Sequence, residues 1–461
     1  MPFNCTSPLV IDWIAHSLYI SRRMAAVTEG KHTISPLTAT CIVVANMVGT
    51  GIFTSLGFQV AGLPTGFAIL SIWIAGGICA LCGALSYAEL GAALPRSGGE
   101  YHFLGVIYHP AVGFLAGWIS ATVGFAAPVA IAAIAFGTYF GEVVPAVNPL
   151  FLSLAVVTIC TVVLLRDLQL GSAFQNGSTI LKISLIAIII VAGFLVKSSQ
   201  PISFLPAKND GALIMSAPFA VSLYWVMYAY SGWNASTYIV GELRNPSRTI
   251  PLSVGLGTVL VMALYLAVNA VFLRTTPVAE MVGKQQVAVI AGSHIFGSSG
   301  AKMMAVFICL GLVSTVSGMM WIGPRITAAM GEDLRALGRL GRRNAHGVPT
   351  TAILAQFVIV VVLLLTATFE TAVSYVQFSL TLCSTLAVLG VFVLRWRQPN
   401  LPRPYRTWGY PVTPIIFLAI SLWMLEHLLA EPSTRAPSLW GLATMALGLT
   451  IYFLSPKTKV A

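Results

Sequence analysis

The sequence predicts an all-α membrane protein with twelve transmembrane helices. Of its 461 residues, 57% are hydrophobic and only 8% are Asp, Glu, Lys or Arg, whereas roughly a quarter of the residues in an ordinary soluble domain are charged. Apolar segments also recur along the chain at the length of about 20 residues that a helix needs to cross the hydrocarbon core of a bilayer. So few charges cannot cover the surface of a water-soluble particle of this size, and we expect lipid to cover it instead.

Twelve segments have the length and composition of a span. The first six lie at 37–59, 67–93, 104–139, 149–165, 177–196 and 215–240, and the other six at 251–274, 300–329, 350–368, 371–396, 409–429 and 437–455. The spans, and not globular domains, are therefore the units of the structure. The stretch before them, residues 1–36, contains no apolar segment of spanning length and is predicted to be a cytoplasmic lead.

The net charge of +11 could indicate a nucleic-acid ligand, but its distribution indicates membrane topology instead. If the N-terminus lies inside and the chain crosses twelve times, the basic residues outside are Lys197, Lys208, Arg274, Lys284, Lys302 and Arg435. Lys182 lies within a span, and all other Lys and Arg residues lie inside. An excess of basic residues on one side is the positive-inside pattern. We therefore expect both termini in the cytoplasm and a location in the plasma membrane, or in the inner membrane if the protein is bacterial.

Two of the spans contain small residues at which a helix is expected to break. Gly49-Thr50-Gly51 lies near the middle of span 1, and Ser231-Gly232 lies in span 6 within the segment Tyr228–Asn234. Glycine lowers helix propensity by about 1 kcal/mol relative to Ala, but small residues also mark close packing of membrane helices. The first motif alone leaves both interpretations open. Spans 1 and 6 occupy corresponding places in two halves of five helices, and such paired interruptions favour a transport site.

A broken helix offers two kinds of backbone group to a ligand. The half that begins after the break presents unpaired N–H groups and the positive end of its dipole, which suit a carboxylate. The half that ends before the break presents free carbonyl groups, which suit an ammonium. A zwitterion satisfies both. Because five is an odd number of crossings, the two halves would have inverted topology.

Five groups of motifs, in this order along the chain, resemble those of the amino acid–polyamine–organocation superfamily. They are Val48–Phe53, Tyr87–Leu90 with Pro95–Tyr101, Tyr230–Asn234 with Glu242–Pro246, Pro324–Met330, and Arg403–Arg406 with Gly409–Pro411. The run Ser231–Asn234 is most similar to the L-type amino acid transporters and their bacterial relatives. Because the motifs run from span 1 to span 11, the resemblance covers most of the chain.

The resemblance implies a LeuT-like fold, in which two inverted repeats of five helices form the core and helices 1 and 6 are broken. The ten-helix core would occupy residues 37–398, with repeats at 37–196 and 215–398. Helices 11 and 12 and a short cytoplasmic tail would occupy residues 399–461. The implied activity is secondary active transport of amino acids by alternating access, with no cofactor and no metal ion.

The resemblance also implies roles for matched residues. Thr50 and Gly51 would bind the substrate carboxylate through their backbone N–H groups. The carbonyl groups of Met47, Tyr228 and Ser231 would receive the ammonium, and the ring of Tyr228 would act as a gate. The other candidates for contact with the substrate are Val48, Gly49, Tyr230, Gly232 and Asn234. Ser231 replaces a glycine that is often present in L-type members, which leaves the size of the substrate open.

Lys182 is the only charged residue of span 5. Lys182 lies roughly six residues into the span, which corresponds to about 9 Å of helical rise. Its ammonium could therefore reach the cytoplasmic interface of the membrane. An ionisable residue within a span is equally a functional candidate, and the residues alone leave the two interpretations even. In sodium-independent relatives, the resemblance places such a lysine where sodium-coupled LeuT-like proteins hold a cation. It therefore implies that Lys182 contacts carbonyls near Gly49 and a hydroxyl of span 8, with Thr315 the best match and Ser314 the next.

The positions of the acidic residues indicate the charge of the substrate. All of them lie in predicted loops or near the ends of spans, and none lies in the middle of spans 3, 6, 8 or 10. Because a cationic side chain needs an acidic partner in a site of low dielectric constant, we expect neutral amino acids. The alternatives are a permease for cationic amino acids or polyamines, and an amino acid sensor that does not transport. With no Asp, Glu or His in the middle of a span, an intramembrane enzyme is not expected.

Two further expectations concern coupling and partners. The sequence leaves open whether transport occurs by exchange or by proton symport. Animal L-type transporters are linked to a heavy chain through a cysteine in the outer loop after span 3, and the matching loop here, residues 141–149, contains no cysteine. We therefore expect an amino acid substrate and membrane lipid as partners, no nucleic acid and no covalently attached heavy chain.

Overall fold

The computed structural model describes residues 34–166, 169–196, 200–334, 337–344 and 348–455. Within those ranges the regular secondary structure is helical, and the only extended pairing is a single bridge between Ile34 and Leu243. Residues 1–33 of the predicted lead and the tail from residue 456 onwards lie outside the described residues. The predicted cytoplasmic location of both termini therefore concerns residues outside the described ranges.

The first half of the chain forms a series of helices, some of which begin with a side-chain cap. They are α1 (Pro36–Met47), α2 (Gly51–Gln59), α3 (Gly66–Ala93), α4 (Glu100–Ile107), α5 (Pro110–Ile119), α6 (Ala126–Gly141), α7 (Pro149–Arg166) and α8 (Gln169–Leu195). A π-helical turn, Ser120–Gly124, joins α5 to α6. The side chains of Ser35 and Thr65 each accept a hydrogen bond from a backbone N–H in the first turn of α1 and α3. These bonds satisfy donors that have no acceptor within the helix.

The second half continues the helical pattern. Its helices are α9 (Asp210–Ile214), α10 (Ala217–Tyr230), α11 (Pro246–Thr275), α12 (Val278–Met281), α13 (Val287–Asp333), α14 (Thr350–Thr366), α15 (Phe369–Arg397), α16 (Val412–Ala430) and α17 (Pro432–Leu454). A 3₁₀ segment, Ala235–Glu242, follows α10. Helix α13 is interrupted at Gly297, which has φ 76° and ψ −176°, a conformation that essentially only glycine adopts.

Eight helices among the described residues are long and apolar enough to cross a membrane. They are Pro36–Gln59, Gly66–Ala93, Pro110–Gly141, Pro246–Thr275, Ser299–Asp333, Phe369–Arg397, Val412–Ala430 and Pro432–Leu454. They coincide with predicted spans 1, 2, 3, 7, 8, 10, 11 and 12. Predicted spans 4, 5 and 9 correspond to the shorter apolar helices Pro149–Leu165, Thr179–Leu195 and Thr350–Thr366. The chain is thus an all-helical, multi-pass membrane protein, and the count of twelve spans stays a prediction.

Predicted span 3 began too early. Pro110 opens α5, and His109 caps it by accepting a hydrogen bond from the first turn. Proline suits this position because the N–H that it lacks would have no acceptor there. The preceding helix α4 folds back onto α5 where two glycines meet, since a Cβ at Gly113 would lie 2.6 Å from the Cα of Gly105. Residues 104–107 therefore belong to a separate helix and not to the spanning one.

Both predicted interruptions are present. The first break, Val48–Thr50, separates α1 from α2, and Val48 has a ψ of 86°, outside the helical range. The second break, Ser231–Asn234, separates α10 from the 3₁₀ segment. Here Ser231 has a ψ of 148° and Gly232 has a φ of 97°. Such a positive φ favours glycine, which explains the glycine in the second break.

The bundle exposes apolar side chains and encloses the first broken helix. Trp396, Trp408 and Trp440 are 80%, 75% and 70% exposed, and tryptophan is enriched where a membrane meets water. Inside, α11 packs along α1 and α3, and α13 packs along α6 and α8. Helix α1 is thereby surrounded by α8, α11 and α13.

A buried ion pair ties α3 to α15 and to the segment before α16. The Glu89 carboxylate accepts hydrogen bonds from Nε and Nη2 of Arg395, at 2.9 and 2.6 Å. It also accepts from the backbone N–H and the hydroxyl of Thr407, both at 2.7 Å, and Nε of Arg403 lies 3.5 Å away. A buried charge is tolerated when its partners are this complete. The cluster therefore fixes three segments together at one end of the bundle.

Candidate functional site

The two breaks lie against each other in the interior. A Cβ at Gly51 would lie 2.5 Å from the Cα of Ala229, and a Cβ at Gly232 would lie 2.9 Å from the carbonyl carbon of Asn46. Both glycines are therefore required by the close approach of two backbones. The sequence left open whether the glycines mark packing or unwinding. In the structure they serve both, because the unwound segments themselves pack together.

Tyr265 of α11 connects the ends of the two helices that precede the breaks. Its hydroxyl oxygen lies 2.6 Å from the carbonyl oxygen of Met47 and 3.0 Å from that of Ala229. Its ring packs edge-on against Trp73 at 5.4 Å and contacts Tyr230 at 5.1 Å. Sequence reasoning missed this residue because a tyrosine in an apolar span is usually read as core packing. The signal available was its buried hydroxyl, which must find a partner.

A second hydroxyl contact crosses from the first break to α10. Oγ1 of Thr50 lies 2.9 Å from Oη of Tyr228, and both side chains are buried. The first N–H groups of a helix have no acceptor within it, and Thr50 and Gly51 stand at the start of α2. The expected carboxylate donors are therefore in place, and the binding of a carboxylate to them stays a prediction.

Two of the three carbonyl groups expected to receive an ammonium, those of Met47 and Tyr228, already have partners. The Met47 carbonyl accepts from the Tyr265 hydroxyl and from the Gly49 N–H, the latter at 2.9 Å. The Tyr228 carbonyl accepts from the Ser231 N–H at 3.0 Å. A carbonyl oxygen has two lone pairs, so Met47 can receive an ammonium only if one of its present donors moves.

Lys182 of α8 lies between the first break and α13. The residue is 4% exposed, and its Nζ donates to the Val48 carbonyl at 3.2 Å and to Oγ1 of Thr315 at 2.9 Å. Gly311 leaves room for the stem, since a Cβ there would lie 3.4 Å from Cγ of Lys182. Ser314, the second hydroxyl candidate, is buried on the same helix. The ammonium therefore does not extend to the membrane surface, and the expected contacts with the first break and with Thr315 are present.

A cavity lies beside the second break. Its volume of ≈ 70 Å³ leaves room for a few water molecules. The walls come from the two breaks' surroundings: the end of α1, the start of α4, the π-helical turn, the start of α6, α10, the second break with the 3₁₀ segment, α13, α15 and α16. Their polar residues include Asn46, Glu100, Ser120, Ser231, Asn234 and Gln377. π-helical turns are rare and frequently occur at functional sites. The cavity is therefore the best-formed candidate for a ligand near the breaks.

The predicted substrate residues fall into two groups. Ser231, Gly232 and Asn234 line the cavity. The other group, residues 47–51 together with Tyr228, lies where the two breaks meet. The cavity and the backbone groups of the breaks are thus neighbours and could serve different parts of one ligand.

Tyr230 departs from the expected arrangement. Its hydroxyl donates to the carbonyl oxygen of Trp73 in α3, at 3.1 Å, and the two rings lie 5.9 Å apart. Gly77 makes room for it, because a Cβ at that position would lie 2.9 Å from the Tyr230 hydroxyl. The side chain therefore packs α10 against α3 and is not placed to contact a substrate.

One acidic residue reaches the cavity. Glu100 is 1% exposed and lines the cavity, and its Oε1 accepts hydrogen bonds from the hydroxyls of Tyr87 and of Ser384, the latter at 3.0 Å. Its position near the end of a predicted span suggested that it was remote from the site. The folding back of α4 brings it inside. The expectation that no acid lies at the site is therefore wrong for Glu100.

Three aromatic rings separate the breaks from one end of the bundle. The centroids of Phe58 and Trp225 lie 4.4 Å apart, and Phe369 lies 6.2 Å from each. The three rings stack with interplanar angles of 20° or less. They belong to α2, α10 and α15, whereas the cavity adjoins the 3₁₀ segment and the end of α1. This aromatic stack therefore closes the side of the breaks opposite to the cavity.

Ion pairs join the segments on the side of the cavity. Arg325 of α13 lies 3.0 Å from Glu242, which ends the 3₁₀ segment, and Arg96 lies 3.3 Å from Asp333. The side chains of Arg325 and Glu242 are 28% and 46% exposed. Ion pairs this accessible to solvent contribute roughly 0–1 kcal/mol. The ion pairs on this side therefore contribute little to the stability of the closed arrangement.

The sequence profile of the amino acid permease family matches residues 34–451. That range contains both breaks, Lys182 and every residue that lines the cavity. The chain belongs to the amino acid permease family.

The permease is similar over almost its whole length to curated transporters. The mouse b(0,+)-type amino acid transporter 1 is 28% identical over 437 residues, which cover 93% of this chain and 88% of that protein. The mouse large neutral amino acids transporter small subunit 2 is 28% identical over 436 residues, covering 92% and 81%. The serine/threonine exchanger SteT of Bacillus subtilis is 28% identical over 444 residues, covering 94% and 98%. Amino acid transport, expected from the resemblance, is thus confirmed for the permease, and these relatives are transporters, not enzymes.

Proposed function

We propose that the permease carries neutral amino acids across the plasma membrane independently of sodium, as a secondary active transporter that works by alternating access. The observation that carries this proposal is the contact of Lys182 with Val48 and Thr315. An ammonium that belongs to the chain stands between the first break and α13. A bound metal cation is not needed where this ammonium already donates hydrogen bonds to the carbonyl and hydroxyl oxygens.

The breaks supply complementary groups for the two charges of an amino acid. The carboxylate binds the N–H groups of Thr50 and Gly51, where the dipole of α2 contributes roughly 0.3–1 kcal/mol. The ammonium binds the carbonyl groups of Met47, Tyr228 and Ser231, which end α1 and α10. Binding of the ammonium to Met47 requires the Tyr265 hydroxyl or the Gly49 N–H to move. Substrate binding and a change in the breaks are therefore coupled.

The cavity receives the side chain of the substrate. Its small volume and its hydroxyl and amide groups, which include Ser120, Asn234 and Gln377, suit a small uncharged side chain that forms hydrogen bonds. Serine and threonine have such side chains, and they appear in the name of the Bacillus relative. We therefore propose small neutral amino acids as the preferred substrates.

The proposal includes a LeuT-like architecture of twelve helices. The ten-helix core at 37–398 contains two inverted repeats, and helices 11 and 12 follow it. The presence of a break in predicted span 1 and another in predicted span 6 supports this arrangement. In alternating access, the aromatic stack closes the outer entrance, and the ion pairs Arg325–Glu242 and Arg96–Asp333 close the inner one.

The permease is proposed to work without a covalently attached heavy chain, with both termini in the cytoplasm. One relative is named as a small subunit and is therefore part of a larger assembly. In this chain, residues 141–149 contain no cysteine that could form such a link. The excess of Lys and Arg in the segments assigned to the inside supports the orientation.

Counterflow into liposomes tests the function. The purified full-length chain is reconstituted, loaded with unlabelled amino acid, and given labelled serine, alanine, leucine, lysine or putrescine outside. We expect accumulation of the neutral amino acids at equal rates in sodium and choline buffers. Loss of uptake in choline contradicts sodium independence, and selective uptake of lysine or putrescine contradicts neutral specificity. Binding without counterflow identifies a sensor in place of a transporter.

A further inference from the structure

A carboxyl group in the wall of the cavity has no basic partner within the described part of the chain. Glu100 is the first residue of α4, and its carboxyl group accepts hydrogen bonds from the hydroxyls of Tyr87 in α3 and Ser384 in α15. Among the residues that the structure describes, none of the ion pairs includes Glu100. Glu89, the other buried glutamate named above, has the guanidinium of Arg395 beside it. The two buried carboxyl groups therefore have different electrostatic surroundings.

The titratable groups that face Glu100 are neutral at physiological pH. Tyr87 faces it from α3, Tyr238 from the 3₁₀ segment and Cys383 from α15. Phenols and thiols are uncharged near neutral pH. These three side chains thus supply no positive charge to balance an ionised Glu100.

Two opposing influences act on the charge of Glu100. Burial without a cation disfavours the carboxylate. The two hydroxyl donors and the N-terminus of α4 favour it. Because the donors come from α3 and α15, any displacement between these helices changes the balance. Glu100 is therefore placed to change its protonation when the cavity changes shape.

We propose that Glu100 carries the proton that accompanies each amino acid through the permease. This inference rests on the proposed transport function and assigns it to proton symport, not to obligatory exchange. The carboxylate takes a proton from water while the cavity is open to the outside. The carboxylic acid returns that proton to water once the cavity opens to the cytoplasm. A neutral amino acid then enters together with a net positive charge, so uptake responds to the membrane potential.

The ammonium of a cationic substrate is the alternative to a proton as the partner of the Glu100 carboxylate. The ammonium of a lysine side chain could pair with an ionised Glu100, and the carboxyl would then need no proton. In that case no proton would enter with the substrate, and lysine would be preferred over serine. The two occupants therefore predict opposite results for proton entry and for specificity.

Liposomes that contain the full-length chain and a trapped pH-sensitive dye test the proposal. Two quantities are measured on the same preparation: counterflow of labelled serine at equal pH, and acidification of the interior when serine is added from outside. The variant is Glu100→Gln, which keeps the shape of the side chain and cannot carry a proton. Glu142→Gln, at an exposed position, is the matched control.

We expect serine to acidify the interior with the wild type and with Glu142→Gln. With Glu100→Gln, the ratio of proton entry to counterflow should fall by about tenfold or more, because a glutamine side chain does not titrate. Failure of counterflow in the wild type contradicts the transport function itself. Counterflow without acidification in the wild type, an unchanged ratio in Glu100→Gln, or selective loss of lysine uptake in that variant overturns the role of Glu100.

A second variant keeps the test decisive if Glu100→Gln does not fold. Ser384→Ala removes one hydroxyl donor to the carboxylate. A carboxylate that loses a donor becomes harder to ionise. The pH of half-maximal acidification should therefore move upward in Ser384→Ala, and an unchanged value contradicts the proposal.

Discussion

The ammonium of Lys182 donates a hydrogen bond of 3.2 Å to the carbonyl oxygen of Val48 in the first break. The same ammonium donates to Thr315 at 2.9 Å. Helix α8 is thus joined through one side chain to the broken helix and to α13. Because an ammonium and a carbonyl inside a bundle interact more strongly than in water, this contact is central to the stability of the first break.

Replacing Lys182 should stop transport. Lys182→Ala removes hydrogen bonds to a charged group, each of which contributes about 1.5–3 kcal/mol, so the first break should lose its geometry. We expect serine counterflow to fall by roughly tenfold or more, since about 1.4 kcal/mol corresponds to that factor. Lys208→Ala, at an exposed position, is the matched control and should retain activity. Wild-type rates in Lys182→Ala would show that the contact is dispensable.

Removing the Tyr265 hydroxyl should weaken both breaks at once. Tyr265→Phe leaves the carbonyl groups of Met47 and Ala229 without this donor, and an unsatisfied buried polar group costs about 1–3 kcal/mol. We expect a lower temperature of thermal unfolding in detergent and a several-fold change in the KM for serine. Tyr375→Phe removes a hydroxyl contact with Thr444 far from the breaks. It should lower stability without changing KM, and an equal change in both variants would contradict a specific role for Tyr265.

A methyl group at Gly51 should abolish the structure of the site. The added Cβ would lie 2.5 Å from the Cα of Ala229, closer than two carbon atoms that are not bonded to each other can approach. Gly51→Ala should therefore lose counterflow and unfold at lower temperature. Gly255→Ala is the matched control, because a Cβ at Gly255 meets no atom within 4 Å. Because alanine is favoured over glycine in a helix by about 1 kcal/mol, Gly255→Ala should be stable and active. A stable, active Gly51→Ala protein would refute the close packing of the breaks.

The buried ion pair of Glu89 should contribute more to the stability of the protein than the exposed ion pair of Glu332. Glu89→Gln leaves the guanidinium of Arg395 without its buried partner, a change that typically costs about 3–5 kcal/mol. Glu332 and Arg343 are each 47% exposed, and such pairs contribute roughly 0–1 kcal/mol. Thermal unfolding in detergent should therefore shift strongly for Glu89→Gln and little for Glu332→Gln. Equal shifts would show that the Glu89 cluster does not anchor the bundle.

The positions of the breaks could be predicted from the sequence because glycine affects local backbone geometry. Gly51 and Gly232 lie where two backbones approach, and this requirement is visible as glycine even without a structure. Lys182 was also identifiable, since an isolated charge in an apolar span must find oxygen partners. Its contact with Thr315 came from the resemblance, and the structure contains that contact.

Other parts of the site depend on tertiary packing and could not be read from the chain. Tyr265 resembles any core tyrosine until α11 is placed beside both breaks. Glu100 was grouped with the acidic residues of loops and span ends, because it precedes predicted span 3, which begins at residue 104. Only the contact between Gly105 and Gly113 folds α4 back and carries the carboxyl group into the cavity. Tyr230 lies next to the second break in sequence, yet helical rotation directs its side chain into α3.

The hydroxyl of Tyr265 has a consequence for the timing of conformational change. Its one hydrogen atom is shared between carbonyl groups that belong to different halves of the chain. When either carbonyl moves away from the hydroxyl, the bridge between the two hinges is lost, so a movement of one hinge changes the hydrogen bonding of the other. The first and second halves of the permease should therefore rearrange with a single common rate constant, as one cooperative step.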